Sequence, residues 1–235
     1  MNFDKFSKNY REIHSENIKI SGASSEYFAK FKAQKIDEFI HKSINHKNPV
    51  KLLDFGCGDG LVSVLLSKLD QKYKISCIDE SAESISEAKK SNVNNLSVDF
   101  KLLEKDKIPY EDIAFDVVFA INVFHHIQVD ERSKWLREII RVLKPGGYII
   151  IIEHNPLNPF TRYFVKTCAF DTDAVLILPQ DLTNKLTDLR IKKHTLEYSL
   201  FFPRWKAFKK LLFLEKLLIN VPVGGQYMYI GEKPI

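Results

Sequence analysis

The residues best suited to chemistry lie in one turn, residues 54–60, whose sequence is Asp-Phe-Gly-Cys-Gly-Asp-Gly. An apolar run typical of a buried strand precedes the turn at 50–55, and a helical apolar pattern follows it at 61–69. Because glycine has no Cβ, such a turn lets a ligand approach the backbone closely. A strand, a glycine-rich turn and a helix N-terminus in this order predict a nucleotide pocket at the carboxyl edge of a sheet.

Two classes of cofactor use such a turn. The dinucleotide fingerprint is G-x-G-x-x-G, with the pyrophosphate at the helix N-terminus. Here Leu61 follows G-x-G-x-G, so the third glycine is misplaced, and Asp54 and Asp59 would put negative charge beside a pyrophosphate. Carboxylates suit a cation better. The turn therefore favours S-adenosylmethionine, which carries an ammonium and a sulfonium, over a nicotinamide dinucleotide.

Further motifs follow in order along the chain. Asp79 ends the second predicted strand, Glu104 precedes Ile-Pro-Tyr, Phe-Asp-Val-Val at 115–118 leads into Ile-Asn-Val-Phe-His-His-Ile at 121–127, and Leu-Lys-Pro-Gly-Gly occupies 143–147. Together with residues 53–60, this series resembles the motifs of the class I S-adenosylmethionine-dependent methyltransferases. The resemblance runs from about residue 50 to residue 153.

The resemblance implies which residues hold the cofactor. Asp79 would accept hydrogen bonds from both ribose hydroxyls, and Glu104 lies where the family places an acid toward the adenine amino group. Asp79 could instead only cap a helix, Glu104 could be a solvated surface acid, and Cys57 is expected to pack without acting as a nucleophile. The implied cofactor residues are Asp54, Gly56, Cys57, Gly58, Asp79, Glu80, Glu104 and Asn122.

Strand and helix patterns alternate along the chain, which predicts an α/β fold with a mainly parallel sheet. The family implies a doubly wound, Rossmann-like sheet of seven strands in the order 3-2-1-4-5-7-6, with the last strand antiparallel. We expect strands at 50–55, 74–79, 96–102, 115–120, 148–153, 195–202 and 226–232. We expect helices from Ser24 or Ser25, at 61–69, from Ser81 to 91, from Asp130 to 143, at 180–189 and from Pro203 to about 220, with an irregular region around Pro156 and Pro159.

Length and composition fit one globular domain, since the chain has 235 residues, of which 45% are hydrophobic and 28% charged. We expect a single domain over 1–235, with an N-terminal cap and helix in 1–45, the cofactor-binding core in 50–153 and substrate-side elements in 154–235. No apolar run is long enough to span a membrane, and the first residues show no secretory signal. The three cysteines lack the spacing of a disulfide or zinc framework. These features predict a cytoplasmic protein.

Methyl transfer needs an aligned acceptor, and a base where the acceptor must lose a proton. His154 follows the fifth strand directly, and an unperturbed imidazole titrates near neutral pH, so His154 is the predicted base or acceptor-orienting residue. The alternative is that His154 only braces the loop at 155–156. Glu153 should point to the opposite side of the strand. No carboxylate-rich cluster accompanies His125, His126 and His154 in the sequence, so we predict no metal site.

The acceptor is predicted by exclusion. Residues 121–124 read Ile-Asn-Val-Phe where base-methylating relatives carry Asn/Asp-Pro-Pro-aromatic, and the chain has no Pro-Cys dipeptide, so nucleic acid is disfavoured. A small-molecule or lipid-linked acceptor is expected. The segment 155–202 resembles that of bacterial methyltransferases associated with surface-glycan pathways, which suggests a sugar or polyprenyl-linked acceptor.

The sequence leaves open whether the protein contacts a membrane and whether it is catalytic. The basic, aromatic segment 204–213 could contact an anionic membrane or simply pack on the sheet with a lysine face. A non-catalytic protein that binds the cofactor or a partner, such as a regulatory subunit, is the alternative to an enzyme. The sequence does not indicate an oligomeric state.

Overall fold

A seven-stranded sheet forms the centre of the computed structural model, which describes residues 21–44, 48–92, 97–104, 106–168 and 171–235. The strands are β1 (Val50–Phe55), β2 (Tyr73–Asp79), β3 (Val98–Leu102), β4 (Phe115–Ile121), β5 (Leu143–His154), β6 (Lys192–Ser199) and β7 (Gln226–Glu232). The helices are α1 (Ser25–Ser43), α2 (Leu61–Ser67), α3 (Ala82–Ser91), α4 (Arg132–Val142), α5 (Pro159–Thr167), α6 (Pro179–Asp188) and α7 (Glu215–Leu218), and a 3₁₀ helix spans Lys206–Leu214.

The strand order is β3-β2-β1-β4-β5-β7-β6. Strands β1 to β5 pair in parallel, whereas β7 runs antiparallel to both of its neighbours, β5 and β6. The predicted fold class, strand order and antiparallel last strand are therefore confirmed. Because the parallel strands end at the same edge of the sheet, the loops that follow β1, β2, β3, β4 and β5 meet there.

Alternation along the strands builds one apolar layer on each face of the sheet. In β1, Leu52 packs on the face that α1, α2 and α3 cover, and Leu53 packs on the face that α4 and α6 cover. In β5, Ile152 belongs to the α1 face and Ile151 to the α4 face. Consecutive residues at the end of a strand thus reach opposite sides of the sheet edge.

Side-chain caps fix the start of three helices. Ser24 accepts a hydrogen bond from the backbone N–H of Tyr27 at the start of α1, and Ser81 accepts one from Ser84 at the start of α3. Asn158 caps α5 in the same way, with Pro159 in the first turn of the helix. The first two starts were predicted from the sequence.

The structure corrects several predicted elements. Helix α5 lies in the region that was expected to be irregular, and α4 starts at Arg132 after Glu131, not at a cap on Asp130. The predicted α-helix from Pro203 is a 3₁₀ helix followed by the four residues of α7, and neither has a buried side chain that would anchor a longer helix.

Some boundaries also move. Strand β5 begins at Leu143 and so includes the Pro-Gly-Gly segment that was expected to precede it, and β6 spans Lys192–Ser199 instead of 195–202. Residues 1–20 of the predicted N-terminal cap, and Leu96 of the predicted third strand, lie outside the described residues. In the part of the chain that the structure describes, no helix has the length and apolarity needed to cross a bilayer.

Candidate active site

The predicted glycine turn connects β1 to α2 as a tight, hydrogen-bonded loop. Gly56, Gly58 and Gly60 all have positive φ, from 54° to 76°, a conformation that side chains with a Cβ rarely adopt. The backbone N–H groups of Gly56 and Cys57 both donate to the carbonyl of Ile78, at 2.8 and 3.0 Å. The turn is therefore held against the end of β2.

Asp79 joins this turn to the start of α3. One carboxylate oxygen accepts from the N–H of Gly58 at 2.7 Å, and the other accepts from the N–H of Ser81 at 2.9 Å. A carboxylate offers about four acceptor positions, so the same group can hold the turn and also receive ribose hydroxyls. Asp79 does more than cap a helix, because the cap of α3 is Ser81 and Asp79 also accepts a hydrogen bond from the N–H of Gly58.

The three glycines differ in what surrounds them. A Cβ on Gly56 would lie 2.5 Å from a methyl of Val123, and one on Gly60 would lie 2.4 Å from the ring of Phe100. A Cβ on Gly58 would meet no atom of the described residues within 4 Å. Gly56 and Gly60 thus serve close packing, whereas Gly58 borders open space beside Asp79. This is the cradle that a nucleoside cofactor needs, so the described residues fit S-adenosylmethionine.

Asp54 is buried at the start of the turn. It is 3% exposed, and Oδ2 accepts from the hydroxyl of Ser63 at 2.7 Å. Burial, together with the nearby charges of Asp79 and Asp59, raises the pKa of Asp54 to about 7. Asp54 therefore anchors α2 under the turn, and its expected contact with the cofactor stays a prediction.

The other predicted cofactor residues follow the strand ends. Glu80 and Glu104 are exposed at the carboxyl ends of β2 and β3, and Asn122 follows β4 with φ of 56°. The thiol of Cys57 is half-buried, and burial raises its pKa well above the usual value, so it stays protonated and is a poor nucleophile. All of these residues lie along one edge of the sheet, although direct cofactor contacts by Glu80, Glu104 and Asn122 remain predictions.

A buried carboxylate organises the loop after β4. Glu153 is 0% exposed, and its Oε1 accepts from the N–H groups of Val123 and Phe124 at 2.9 and 2.7 Å. Its Oε2 lies 2.6 Å from Nδ1 of His125. Burial alone would raise the pKa of Glu153, but His125 holds it below the ordinary value. Glu153 fixes the backbone of the loop after β4. That it points to the side of the strand opposite His154 stays a prediction, since both side chains lie near His125.

Asp171 completes a cluster around His125, made of His125, His126, Glu153 and Asp171. Its Oδ1 lies 3.6 Å from Nε2 of His125 and 3.3 Å from Nε2 of His126. Burial alone would lower the pKa of His125, but Glu153 and Asp171 raise it to about 9. Burial and the charge of His125 lower the pKa of His126 to about 4. At neutral pH an imidazolium therefore sits between two carboxylates.

The reason given for expecting no metal site was wrong, since two carboxylates do accompany His125 and His126. Ligand atoms of His125, His126 and Asp171 lie within 4.8 Å of one another, a spacing that could hold a metal ion. The imidazolium of His125 can also satisfy both carboxylates without one. The absence of a metal stays a prediction.

His154 lies beside this cluster, with its ring centroid 5.2 Å from that of His125. Burial and the charge of His125 lower the pKa of His154 to about 3. The expectation of an unperturbed imidazole was therefore wrong, because a group with this pKa is neutral at physiological pH and a weak base. His154 remains a candidate for orienting the acceptor through a hydrogen bond.

The loop after His154 has structural contacts. The side-chain amide of Asn155 donates to the carbonyls of Pro222 and Gly224, at 3.1 and 2.8 Å, and that of Asn158 donates to Val223 at 2.7 Å. Asn155 is 0% exposed. These asparagines fasten the loop to the segment that precedes β7.

Two polar residues of the site were missed in the sequence. Lys32 of α1 and Gln226 of β7 are buried on the α1 side of the sheet edge, 8% and 5% exposed. Lys32 carried a signal, because it lies four residues from both Phe28 and Ile36 and so interrupts the apolar stripe of α1. Gln226 carried none, since its position depends on the pairing of β7 with β5.

Comparison with known proteins agrees with this geometry. Residues 53–151 match the family model described as a methyltransferase domain. Norajmaline N-methyltransferase of Rauvolfia serpentina is 31% identical over 193 residues, which cover 71% of this chain and 64% of that enzyme. The chain spans from 37% to 42% of three further curated relatives.

Solved structures share the fold. A SAM-dependent methyltransferase from Archaeoglobus fulgidus aligns with a TM-score of 0.66 at 17% identity, over 89% of this chain and 95% of that one. Geranyl diphosphate C-methyltransferase from Streptomyces coelicolor, solved with Mg²⁺, geranyl diphosphate and S-adenosyl-L-homocysteine, aligns with a TM-score of 0.63 at 13% identity, over 85% and 77%. The family and its cofactor are those that the motifs predicted: the chain carries a domain of the class I S-adenosylmethionine-dependent methyltransferase family.

Proposed function

We propose that this protein transfers a methyl group from S-adenosylmethionine to a small-molecule or lipid-linked acceptor. The observation that carries the proposal is the open space at Gly58 beside the Asp79 carboxylate, in a turn that is otherwise tightly packed. Bound S-adenosylmethionine supplies a methyl group on a sulfonium. The turn at Gly58 and the carboxylate of Asp79 would hold the cofactor, so that the acceptor would take the methyl group and S-adenosylhomocysteine would remain as the product.

The protein's own part in this reaction is alignment. Glu153 and the cluster around His125 hold the loop after β4, and Asn155 holds the loop after β5, so both walls of the acceptor side are fixed. Fixed walls that exclude water and orient the acceptor can supply a large share of the rate. His154 ends β5 directly before the second of these loops, where it would orient the acceptor and not remove its proton.

A lipid-linked acceptor is favoured by large apolar side chains that are exposed in the C-terminal part of the chain. Phe160 on α5, Phe213 on the 3₁₀ helix and Leu217 on α7 are 73%, 66% and 74% exposed. Lys209 and Lys210 are exposed on the same 3₁₀ helix as Phe213, so this helix combines apolar and cationic groups as membrane-surface segments do. The hydrogen bond from Asn158 to Val223 ties the start of α5 to the chain that follows α7.

Binding and transfer test the proposal. Calorimetry should show binding of S-adenosylmethionine and S-adenosylhomocysteine and none of NADH; micromolar binding of NADH alone would contradict it. Incubation of cell-extract fractions with methyl-tritiated S-adenosylmethionine should then label one acceptor, to be identified by mass spectrometry. Cofactor binding without transfer to any fraction would favour the non-catalytic alternative.

The lipid-linked class has its own test. Co-sedimentation with phosphatidylglycerol vesicles should exceed that with phosphatidylcholine vesicles, and Phe213→Ser with Leu217→Ser should abolish it. Ile113→Ser, a change at another exposed apolar residue, is the control. Equal sedimentation of all three proteins would leave a freely diffusing small molecule as the acceptor.

A further inference from the structure

Lys32 is a buried cation without a partner among the described residues. It is 8% exposed on α1, and no hydrogen bond or ion pair joins its ammonium group to any residue within the described ranges. The neighbouring lysines of the helix differ, since Lys30 pairs with Glu26 at 2.9 Å and Lys35 with Glu197 at 3.5 Å. Buried charges in proteins are paired, because an unpaired one is costly to remove from water. The described residues supply no counter-ion for Lys32, so its charge can pair with a bound anion.

A pocket that is open to solvent lies beside this lysine, between α1 and the ends of β5, β6 and β7. Gln226 also lines it; its side-chain N–H donates to Oδ1 of Asn122 at 3.2 Å, while its Oε1 is buried and has no hydrogen-bond partner among the described residues. The pocket thus offers the ammonium of Lys32 and one unsatisfied acceptor, and it is also lined by Lys35 and Glu197, which pair with each other at 3.5 Å. Its lining includes Phe31, Ile152, Tyr198 and Met228.

The position of the pocket separates it from the glycine turn. Gly58 follows β1, whereas Gln226 begins β7, which lies three strand positions away in the sheet. At the usual spacing of neighbouring strands this is about 14 Å. His154 pairs with Gln226 in the β5–β7 register, so the pocket lies next to the residue at the acceptor side of the edge.

We propose that this pocket binds an anionic group, a carboxylate or a phosphate, of the methyl acceptor. Lys32 pairs with the anion, and Oε1 of Gln226 accepts a hydrogen bond from a hydroxyl or amine on the same molecule. The inference rests on the proposed function, and it narrows the acceptor class to small anionic molecules, or headgroups, that also carry a donor. Apolar atoms of the acceptor would contact Ile152 and Met228.

Glycerol 3-phosphate and lactate are suitable probes, because each carries an anion and a hydroxyl, and glycerol is the neutral control. The protein saturated with S-adenosylhomocysteine should bind both anions, with a shift of the Gln226 side-chain amide in ¹H–¹⁵N spectra. Lys32→Met should weaken both anions about tenfold or more, the scale of losing a hydrogen bond to a charged group. Gln226→Glu, which adds a competing carboxylate, should do the same, and Lys30→Met should leave binding unchanged.

The outcomes separate the sources of the anion. No binding of either probe, or equal binding by wild type and Lys32→Met, overturns the proposal. The methionine carboxylate of S-adenosylmethionine is the rival occupant; a tenfold loss of S-adenosylmethionine affinity in Lys32→Met, with that of 5′-methylthioadenosine unchanged, would assign the pocket to the cofactor and overturn the acceptor assignment. The probes are also titrated into the cofactor-free protein, so that anion binding is measured even if no adenosyl ligand binds. Failure to bind an adenosyl ligand would then count against the proposed function and not against the anion site.

Discussion

Oε2 of Glu153 lies 2.6 Å from Nδ1 of His125, and both side chains are closed off from solvent. The pair joins the end of β5 to the loop after β4, and the other oxygen of Glu153 receives two backbone N–H groups of that loop. One buried carboxylate thus satisfies three donors of this loop. The loop's conformation depends on it.

Glu153→Ala should therefore destabilise the protein strongly. The substitution leaves His125 and the N–H groups of Val123 and Phe124 without their acceptor, and breaking a buried pair typically costs about 3–5 kcal/mol. Urea unfolding followed by circular dichroism measures the loss. Glu111→Ala, at an exposed glutamate, should stay within about 0.5 kcal/mol of wild type. A decrease of less than about 1 kcal/mol in the free energy of unfolding of Glu153→Ala would show that the loop does not need Glu153 to keep its conformation.

Gly58→Val and Gly60→Val should differ in kind. Gly58 borders open space, so a side chain there strains the backbone by about 1–2 kcal/mol but chiefly occupies the cofactor cradle, and S-adenosylmethionine binding should be lost. Gly60→Val places atoms on the ring of Phe100 and should mainly lower the urea midpoint. Calorimetry and urea unfolding on both variants check this. If a folded Gly58→Val protein kept its affinity for S-adenosylmethionine, the cofactor would not bind beside Gly58.

The fold could be predicted because its determinants are local. Ser24 and Ser81 were recognised as helix caps, and the apolar strands between glycine and proline turns gave the α/β pattern. Helix α5 also had a local signal, an asparagine cap followed by proline, but the two prolines around it suggested a loop. The segment 206–214 has helical apolar spacing without a buried face, so tertiary contacts and not periodicity decide its 3₁₀ winding.

The site also has a part that local sequence predicts and a part that it does not. The glycine turn and Asp79 follow consecutive strand ends, so their proximity could be predicted. The cluster around His125 could not, because Glu153 is 28 residues away in sequence and Asp171 comes from the loop after α5. The low pKa of His154 also depends on burial and on the charge of His125, which lies in the loop after β4.

Asp79→Ala should weaken S-adenosylmethionine binding by about 1.5–3 kcal/mol, since it removes a charged acceptor of the ribose hydroxyls. It should also lower stability, because Gly58 and Ser81 lose their acceptor. Calorimetry at a temperature where the variant is folded separates the two effects, and Glu87→Gln on α3 is the control. An unchanged dissociation constant would leave Asp79 with only its role in the turn.

Lys32→Met should stabilise the ligand-free protein below pH 8. Burial lowers the pKa of Lys32 to about 8, against 10.5 in the unfolded chain, so the unfolded state binds more protons between these values and wild-type stability rises with pH across that window. The charged group that acts on Lys32 is Glu153 of β5, while the neighbouring His154 is neutral in this pH range. Glu197 of β6 and Lys35 of α1 line the same pocket.

The difference in the free energy of unfolding should be at most on the order of 3 kcal/mol at pH 7 and should shrink toward zero by about pH 10.5. Urea unfolding of both proteins at pH 7 and pH 9.5, with Lys30→Met as control, gives this difference. A less stable Lys32→Met protein at pH 7 would mean that the ammonium is paired in solution.

His154→Gln tests whether the histidine takes a proton from the acceptor. Because burial and the charge of His125 lower the pKa of His154 to about 3, the imidazole is already neutral across the range in which activity would be measured. A base of that strength gains little by proton transfer. We therefore expect His154→Gln to keep S-adenosylmethionine affinity within about twofold and kcat within about threefold, since glutamine can still orient the acceptor and brace the loop at 155–156.

The acceptor identified by tritium labelling supplies the assay, and His194→Gln on β6 is the control. A fall in kcat of about 10²-fold or more, the range for a lost general base, together with loss of a kcat inflection between pH 5.5 and 7.5, would establish that the bound acceptor raises the pKa of His154 and that it acts as the base.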